Sequence, residues 1–207
     1  MSSPQAANLR DRQTAATREQ ILDVAFEMLT RHPHDPFSHE AIARKAGMGA
    51  RTVYRYFPSR AELLQALWGR LRGATGIRMP AAEEEVVPFI RSVFQQFENN
   101  EALIRAVLNS SISTEVRKTG AIQGRADLTK SLSKLLSGLP PRRQAQVVAV
   151  FLTIYSGPFW QTLRDRGGLS GPEAQEAAVW TLEALLNAVR SEAKAARQKS
   201  QGVKEKL

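Results

Sequence analysis

The side chains best suited to chemistry lie close together between residues 49 and 57. Within that stretch, Arg51, Thr52, Tyr54 and Arg55 can all donate hydrogen bonds. Arginine pairs bidentately with guanine O6 and N7 in the major groove of DNA, and all three residue types bond phosphate oxygens. These residues therefore predict a contact with a nucleic acid. For each arginine, a base contact and a nonspecific phosphate contact are both consistent with the sequence.

The sequence around these side chains predicts a helix-turn-helix unit over residues 37–64. Ser38 can cap a first short helix, and Gly47 follows where a helix end needs a residue that tolerates positive φ. The next helix is too short to be stable alone and must be held by packing. Ser59 and Glu62 have the spacing of a capping box, so a further helix begins there with its positive end exposed. Such an arrangement suits the presentation of one small helix to a DNA groove.

This unit closely resembles the amino-terminal part of the TetR family of bacterial transcriptional regulators. The matching residues are Ile42-Ala43, Ala46-Gly47, Thr52-Val53-Tyr54, Tyr56-Phe57, Ser59-Arg60 and Glu62-Leu63-Leu64. The spacing of threonine, an apolar residue, tyrosine and the aromatic pair that follows is far more specific than a lone short motif. The resemblance covers roughly the first quarter of the chain. Beyond it, only the helical plan and the length match the family.

The resemblance implies a sequence-specific transcriptional regulator that binds double-stranded DNA. Family members bind an operator as a dimer, so we expect an inverted-repeat operator and a repressor that a small molecule releases. A regulator of the same fold that acts as an activator, or without an effector, is the alternative. Arg60 stands at the family's basic phosphate-contact position. Carried over residue by residue, the DNA contacts fall on Ser38, His39, Gly49, Ala50, Arg51, Thr52, Tyr54, Arg55, Tyr56 and Arg60.

Positive charge is concentrated at the two ends of the chain. Residues 1–78 contain 12 Lys/Arg and 7 Asp/Glu, a balance of +5, whereas residues 79–189 contain 11 of each. Residues 190–207 contain 6 Lys/Arg and 2 Asp/Glu, a balance of +4, which completes the net charge of +9. A basic head on a neutral body is typical of a protein that binds a polyanion. The basic carboxyl-terminal segment is more simply interpreted as a solvated tail.

Other chemistries find little support in the residues present. The chain has no cysteine and 3 histidines, and His32, His34 and Asp35 share a loop without further ligands to complete a metal site. No nucleophile elbow or phosphate-binding glycine loop occurs. The sequence therefore predicts no enzyme, no metal and no cofactor. It also has no apolar run that could span a bilayer and no signal-peptide core, so a cytoplasmic protein without a membrane partner is expected.

Helical periodicity runs through the chain, and no strand pattern competes with it. We therefore predict an all-α protein. An amino-terminal three-helix helix-turn-helix DNA-binding domain precedes a helical carboxyl-terminal ligand-binding and dimerisation domain, and a break rich in glycine and proline separates them. The predicted parts are a disordered basic arm over 1–16, the DNA-binding domain with its connecting helix over 17–78, the ligand-binding and dimerisation domain over 79–198, and a disordered basic tail over 199–207.

Aromatic residues in the carboxyl-terminal part suit either a cavity for the effector or an ordinary core. The candidates for a pocket are Phe89, Phe94, Phe97, Leu108, Tyr155 and Phe159. Because no surplus of acidic residues accompanies them, an apolar or aromatic effector of unknown identity is favoured over a cation. The sequence leaves both interpretations of these residues open.

The last two predicted helices carry more apolar surface than packing within one domain requires. A helix packed on a single domain needs one apolar stripe, whereas these helices have apolar residues on two faces. The surplus predicts a self-complementary homodimer seam, although central helices of a monomer would show the same pattern. The residues assigned to the seam are Trp160, Leu163, Ala177, Trp180, Ala184 and Ala188.

Overall fold

A computed structural model of the chain describes the backbone of residues 4–204 and the side chains of residues 11–198. The regular elements in this part of the chain are helices, without a strand, which confirms the predicted all-α class. A short 3₁₀ helix, Glu83–Glu85, lies between the fourth and fifth α-helices. The α-helices are α1 (Pro4–Arg31), α2 (His39–Lys45), α3 (Ala50–Tyr56), α4 (Arg60–Thr75), α5 (Val86–Asn99), α6 (Glu101–Asn109), α7 (Ser113–Ser131), α8 (Ser133–Leu136), α9 (Pro141–Ile154), α10 (Gly157–Asp165) and α11 (Gly171–Lys204).

The first of two compact units comprises Met1–Ala74 and Ala102–Gly120. Its core joins apolar side chains of α1, α2, α3 and α4 with Ile112 and Val116 from the segment where α6 turns into α7. The unit thus differs from the domain predicted over residues 17–78, because part of the predicted second domain completes the core of the first. Periodicity shows that a helix has an apolar face, but it does not show which core that face enters.

The second compact unit comprises Thr75–Glu101 and Ala121–Leu207. Its longest helix, α11, packs most extensively on α5 and also contacts α8, α9 and α10. The largest fully buried side chains of the unit include Phe94, Phe151 and Trp160. Among the helices that the structure describes, none combines the length and the apolar character needed to cross a membrane.

Residues 4–16 and 199–204 are helical, whereas the sequence predicted a disordered basic arm over 1–16 and a disordered basic tail over 199–207. Helix α1 begins at Pro4 and continues without interruption through Thr17, where the predicted domain began. Helix α11 continues to Lys204, well into the predicted tail. The polar composition of these segments suggested disorder, but alanine, arginine, glutamine and lysine are also strong helix formers. Residues 1–3 and 205–207 lie outside the described residues.

Candidate nucleic-acid interface

A tight turn fixes where α3 starts relative to α2. Ser38 caps α2, and its side-chain oxygen accepts a hydrogen bond from the backbone amide three residues later at 3.1 Å. At the other end of α2, Gly47 has a φ of 67°, and its amide donates to the carbonyl oxygen of Arg44 at 3.3 Å. The amide of Met48 donates to the carbonyl oxygen of Ala43 at 3.0 Å. The two bonds together form a Schellman ending, which confirms the predicted role of the glycine.

Helix α3 is anchored by two apolar residues and exposes three polar ones. Val53 is fully buried, and Phe57, which ends the helix, is 1% exposed. Arg51, Tyr54 and Arg55 are exposed. Because a helix of this length depends on packing, these anchors determine how the polar side chains are presented.

The other predicted DNA-contact residues around α3 expose less side-chain surface to a partner. Thr52 and Tyr56 are half-buried, as is Ala50. Gly49 precedes the helix with an extended backbone, φ −72° and ψ 142°, and the space that a Cβ would occupy is open. A partner could therefore approach the backbone closely at this glycine.

The two exposed arginines of α3 have different surroundings. The side chain of Arg51 makes no hydrogen bond or ion pair to the described residues. The guanidinium carbon of Arg55 lies 5.1 Å from the ring centroid of Tyr56, a distance typical of a cation–π contact. Both guanidinium groups therefore keep donors for phosphate oxygens or base edges.

His39 packs inside the unit, and its assignment as a DNA contact is corrected here. Its side chain is 5% exposed, and its Nε2 donates to the carbonyl oxygen of Phe57 at 2.9 Å. The imidazole also stacks on the ring of Tyr54. The spacing from Ser38 could not show which side of the first turn of α2 faces the core. His39 thus ties the start of α2 to the end of α3.

A carboxylate holds the hydroxyl of Tyr54. The Tyr54 hydroxyl donates to Oε1 of Glu40 at 2.8 Å. The pKa of Glu40 lies below its ordinary value because its own backbone amide and, to a smaller extent, the Tyr54 hydroxyl bond the carboxylate. The same hydrogen bond raises the pKa of Tyr54. Sequence reasoning missed Glu40, and the expected phosphate contact of Tyr54 would require its hydroxyl to leave this carboxylate.

Arg60, which the resemblance places at a phosphate-contact position, forms an ion pair within the protein. Its Nε and Nη2 donate to the two carboxylate oxygens of Glu115 at 2.6 and 2.8 Å. Its Nη1 donates to the carbonyl oxygen of Phe37 at 2.8 Å. Glu115 is far from the helix-turn-helix in sequence, so no local pattern could have identified this partner.

The residues predicted to line a ligand pocket are mostly buried in the second unit. Phe89 and Tyr155 meet edge to face with ring centroids 4.9 Å apart, and Phe94 lies 6.1 Å from Phe97. The Tyr155 hydroxyl donates to the carbonyl oxygen of Val86 at 3.1 Å, and burial raises the pKa of this tyrosine. These contacts are those of a packed aromatic core.

The six predicted pocket residues are divided between the two compact units. Leu108 belongs to the first unit and Phe159 to the second. A cleft of about 200 Å³ in the second unit is smaller than a typical ligand site of about 300–1,000 Å³. It is lined by Arg125, Thr129, Pro141, Gln144, Ala145 and Val148. A pocket built from the predicted residues stays a prediction, and no group of described residues could hold a metal ion.

Helix α11 exposes an apolar stripe that includes three of the six residues of the predicted dimer seam. Trp180 is 71% exposed, and Ala184 and Ala188 follow it at intervals of four residues and are also exposed. Ala177 and Leu163 are half-buried. This side of α11 therefore exposes the large indole of Trp180 to solvent.

Trp160 does not belong to that surface and is corrected to a core residue. Its side chain is fully buried, and its ring centroid lies 5.8 Å from that of Phe97. Its Nε1 donates to Oε1 of Glu98 at 2.6 Å. The sequence placed it on the surplus apolar face because periodicity cannot separate a wide buried face from an exposed one.

Comparison with known proteins places the helix-turn-helix in a known group. A family model described as bacterial regulatory proteins, tetR family, matches residues 21–67. The HTH-type transcriptional repressor LfrR of Mycolicibacterium smegmatis is 47% identical over 51 residues, which make up 25% of this chain and 26% of LfrR. The match thus spans about a quarter of that relative's length. A TetR transcriptional regulator from Rhodococcus sp. RHA1 aligns with 83% of this chain and 98% of its own, at 19% identity and a TM-score of 0.46.

Proposed function

We propose that the chain is a DNA-binding transcriptional repressor of the TetR family, whose family model matches residues 21–67. The observation that carries the proposal is the exposure of Arg51 and Arg55 on α3, together with the open backbone of Gly49 just before that helix. Its relative LfrR is named as an HTH-type transcriptional repressor, which supports repression over activation.

DNA is read by α3 in the major groove. Arg51 is the first candidate for a bidentate contact with guanine, because its guanidinium makes no bond to the described residues. Arg55 contacts a second base or a phosphate. At the start of α4, Ser59 accepts a hydrogen bond from the amide of Glu62 at 3.2 Å, and the remaining amides of this helix end attract a phosphate.

A homodimer presents two such helices to an inverted repeat. The exposed stripe of Trp180, Ala184 and Ala188 supports a seam along α11, since an indole in solvent gains free energy when it is buried. Two copies can pair the same stripe about a twofold axis. The spacing of the two recognition helices then selects operators with matching half-sites.

A small apolar or aromatic effector completes the proposal. It is supported by the resemblance to the family and by the aromatic content of the second unit. Such an effector lowers operator affinity when it binds more tightly to a conformation that cannot engage both half-sites.

The test is a selection of random DNA duplexes on the purified full-length protein, followed by transcription from a promoter that carries the enriched site. We expect an inverted repeat to be enriched and transcription to fall when the protein is added. Arg51→Ala and Arg55→Ala should each weaken the enrichment, whereas Arg91→Ala, at an exposed arginine of α5, should preserve it. A pool that shows no enriched sequence would overturn the proposal.

A further inference from the structure

The loop between α1 and α2 is held through its carbonyl groups by residues that are distant in sequence. The amide of Ser111 donates to the carbonyl oxygen of Pro33 at 2.8 Å, and the Ser111 hydroxyl donates to that of Asp35 at 3.2 Å. The third bond is the one from Arg60 to the carbonyl oxygen of Phe37. Three carbonyl groups of one loop are therefore fixed from outside it.

Glu115 determines where the guanidinium of Arg60 lies. The two carboxylate oxygens accept a bond each at 2.6 and 2.8 Å, the parallel geometry that fixes the plane of a guanidinium. In this plane, Nη1 reaches the carbonyl oxygen of Phe37, and the guanidinium carbon lies 5.9 Å from the Phe37 ring centroid. The carboxylate thus acts on the loop through Arg60.

The segment that carries Ser111 and Glu115 is anchored in the core of the same unit. Ile112 is 3% exposed and Val116 is fully buried, and both belong to the cluster that contains Val53 of α3. Both polar residues stand next to one of these anchors in the chain. The backbone that carries Ser111 and Glu115 is therefore held in place where these residues contact the loop.

The held loop leads directly into the elements that orient α3. Phe37 is followed by Ser38, the cap of α2. The next residue, His39, bonds the carbonyl oxygen of Phe57 at the end of α3. A displacement of the loop would therefore reach α3 through one capping residue and one buried hydrogen bond.

We propose that Ser111 and Glu115 are positioning residues for DNA recognition, which fix the loop before α2 and thereby the presentation of α3. The inference rests on the proposed DNA-binding function, and both residues lie outside the matched residues 21–67. The opposite effect would arise if Glu115 withheld Arg60 from a phosphate, because its removal would then strengthen binding.

The test measures the affinity of full-length variants for two duplexes, the one most enriched by the unaltered protein and a shuffled duplex of equal composition. Glu115→Gln and Ser111→Ala should each weaken binding to the enriched duplex about three- to tenfold, with little change on the shuffled one. The matched control is Glu19→Gln, which removes an exposed carboxylate that binds Arg70 at 3.0 Å on α4 without touching the loop. A cycle of Arg60→Ala, Glu115→Ala and the double variant should show that the second change adds little to the first.

Stronger DNA binding by Glu115→Gln would overturn the proposal and would show instead that Glu115 withholds Arg60 from a phosphate. The proposal would also be overturned if the affinity for the enriched duplex did not change, or if both duplexes lost affinity equally.

Amide hydrogen exchange supplies a readout without DNA. Protection of the α2 amides should fall in Glu115→Gln and Ser111→Ala but not in Glu19→Gln, and unaltered protection would contradict the mechanism. If the unaltered protein enriches no duplex, the proposed function fails, while this exchange experiment still tests the contact. Should Glu115→Gln fail to fold, Ser111→Ala, which keeps the ion pair, carries the test.

Discussion

His39 and Tyr54 lie face to face, with ring centroids 4.4 Å apart and an interplanar angle of 2°. Each ring is also held by a hydrogen bond, since His39 bonds the carbonyl oxygen of Phe57 and Tyr54 bonds Glu40. Tyr54 is 43% exposed, whereas His39, on which it stacks, is buried. The stack therefore joins α2 to α3, and part of the expected DNA-binding surface is a structural contact between the two helices.

Replacing His39 with alanine should destabilise the protein. The change leaves the carbonyl oxygen of Phe57 without its buried donor, which costs about 1–3 kcal/mol in the free energy of unfolding. Urea denaturation measures the loss. Arg44→Ala, at an exposed position of the same helix, should change stability by less than about 0.5 kcal/mol. Equal stabilities of the two variants would show that the histidine bond contributes nothing.

Acid should weaken the protein partly through Glu40. Its folded-state pKa is lowered from the ordinary value of 4.5, so its contribution to stability is present above pH 4.5 and is lost as the pH falls through the folded pKa. Glu40→Gln should remove this part of the pH dependence of unfolding. Tyr54→Phe should remove a smaller share, because the backbone amide has the larger effect on the carboxylate. The measurement is denaturant unfolding from pH 3 to pH 7, and identical curves for all three proteins would refute the role of Glu40.

Arg51→Ala should lose about 1–3 kcal/mol of binding free energy on the preferred duplex and relax the preference at one base position. The reason is that its guanidinium makes no bond to the described residues. Arg91→Ala provides the matched control on α5. Binding to single-base variants of the duplex measures the effect. A uniform loss on every duplex would assign Arg51 to a phosphate contact.

Trp180→Glu should weaken self-association by at least about tenfold, since it places a carboxylate where a seam would bury an indole. Sedimentation velocity over a concentration series measures the dissociation. The side chain is 71% exposed, so the isolated subunit should keep its stability. Ile122→Glu, at a side chain 75% exposed on α7, serves as the control for added charge. A Trp180→Glu protein that still sediments as a dimer would exclude this residue from the seam.

Phe94→Ala should cost about 3–5 kcal/mol of stability, the amount expected for truncating a fully buried aromatic residue. Tyr155→Phe should cost about 1–3 kcal/mol, because the carbonyl oxygen of Val86 loses its donor. Urea unfolding measures both effects. Losses well below these values would mean that the region is loosely packed, as an effector pocket requires.

Local patterns were sufficient to predict the helix-turn-helix itself. The capping serine before α2, the glycine with positive φ and the cap of α4 each satisfy backbone groups within a few residues. Such requirements depend on neighbours in the chain, so the spacing of Ser38, Gly47 and Ser59 determined this unit. The same holds for the exposure of Arg51 and Arg55, which follows from the buried positions of Val53 and Phe57.

Contacts between distant residues were decided only by the tertiary structure. Glu115 approaches Arg60 because the start of α7 is part of the first unit and packs in its core. Trp160 is buried because it packs on Phe97 and bonds Glu98. The sequence determined which residues have helical, apolar or basic character. It could not determine which helices pack on each other. Periodicity identifies the apolar face of a helix but not the helix that packs against that face.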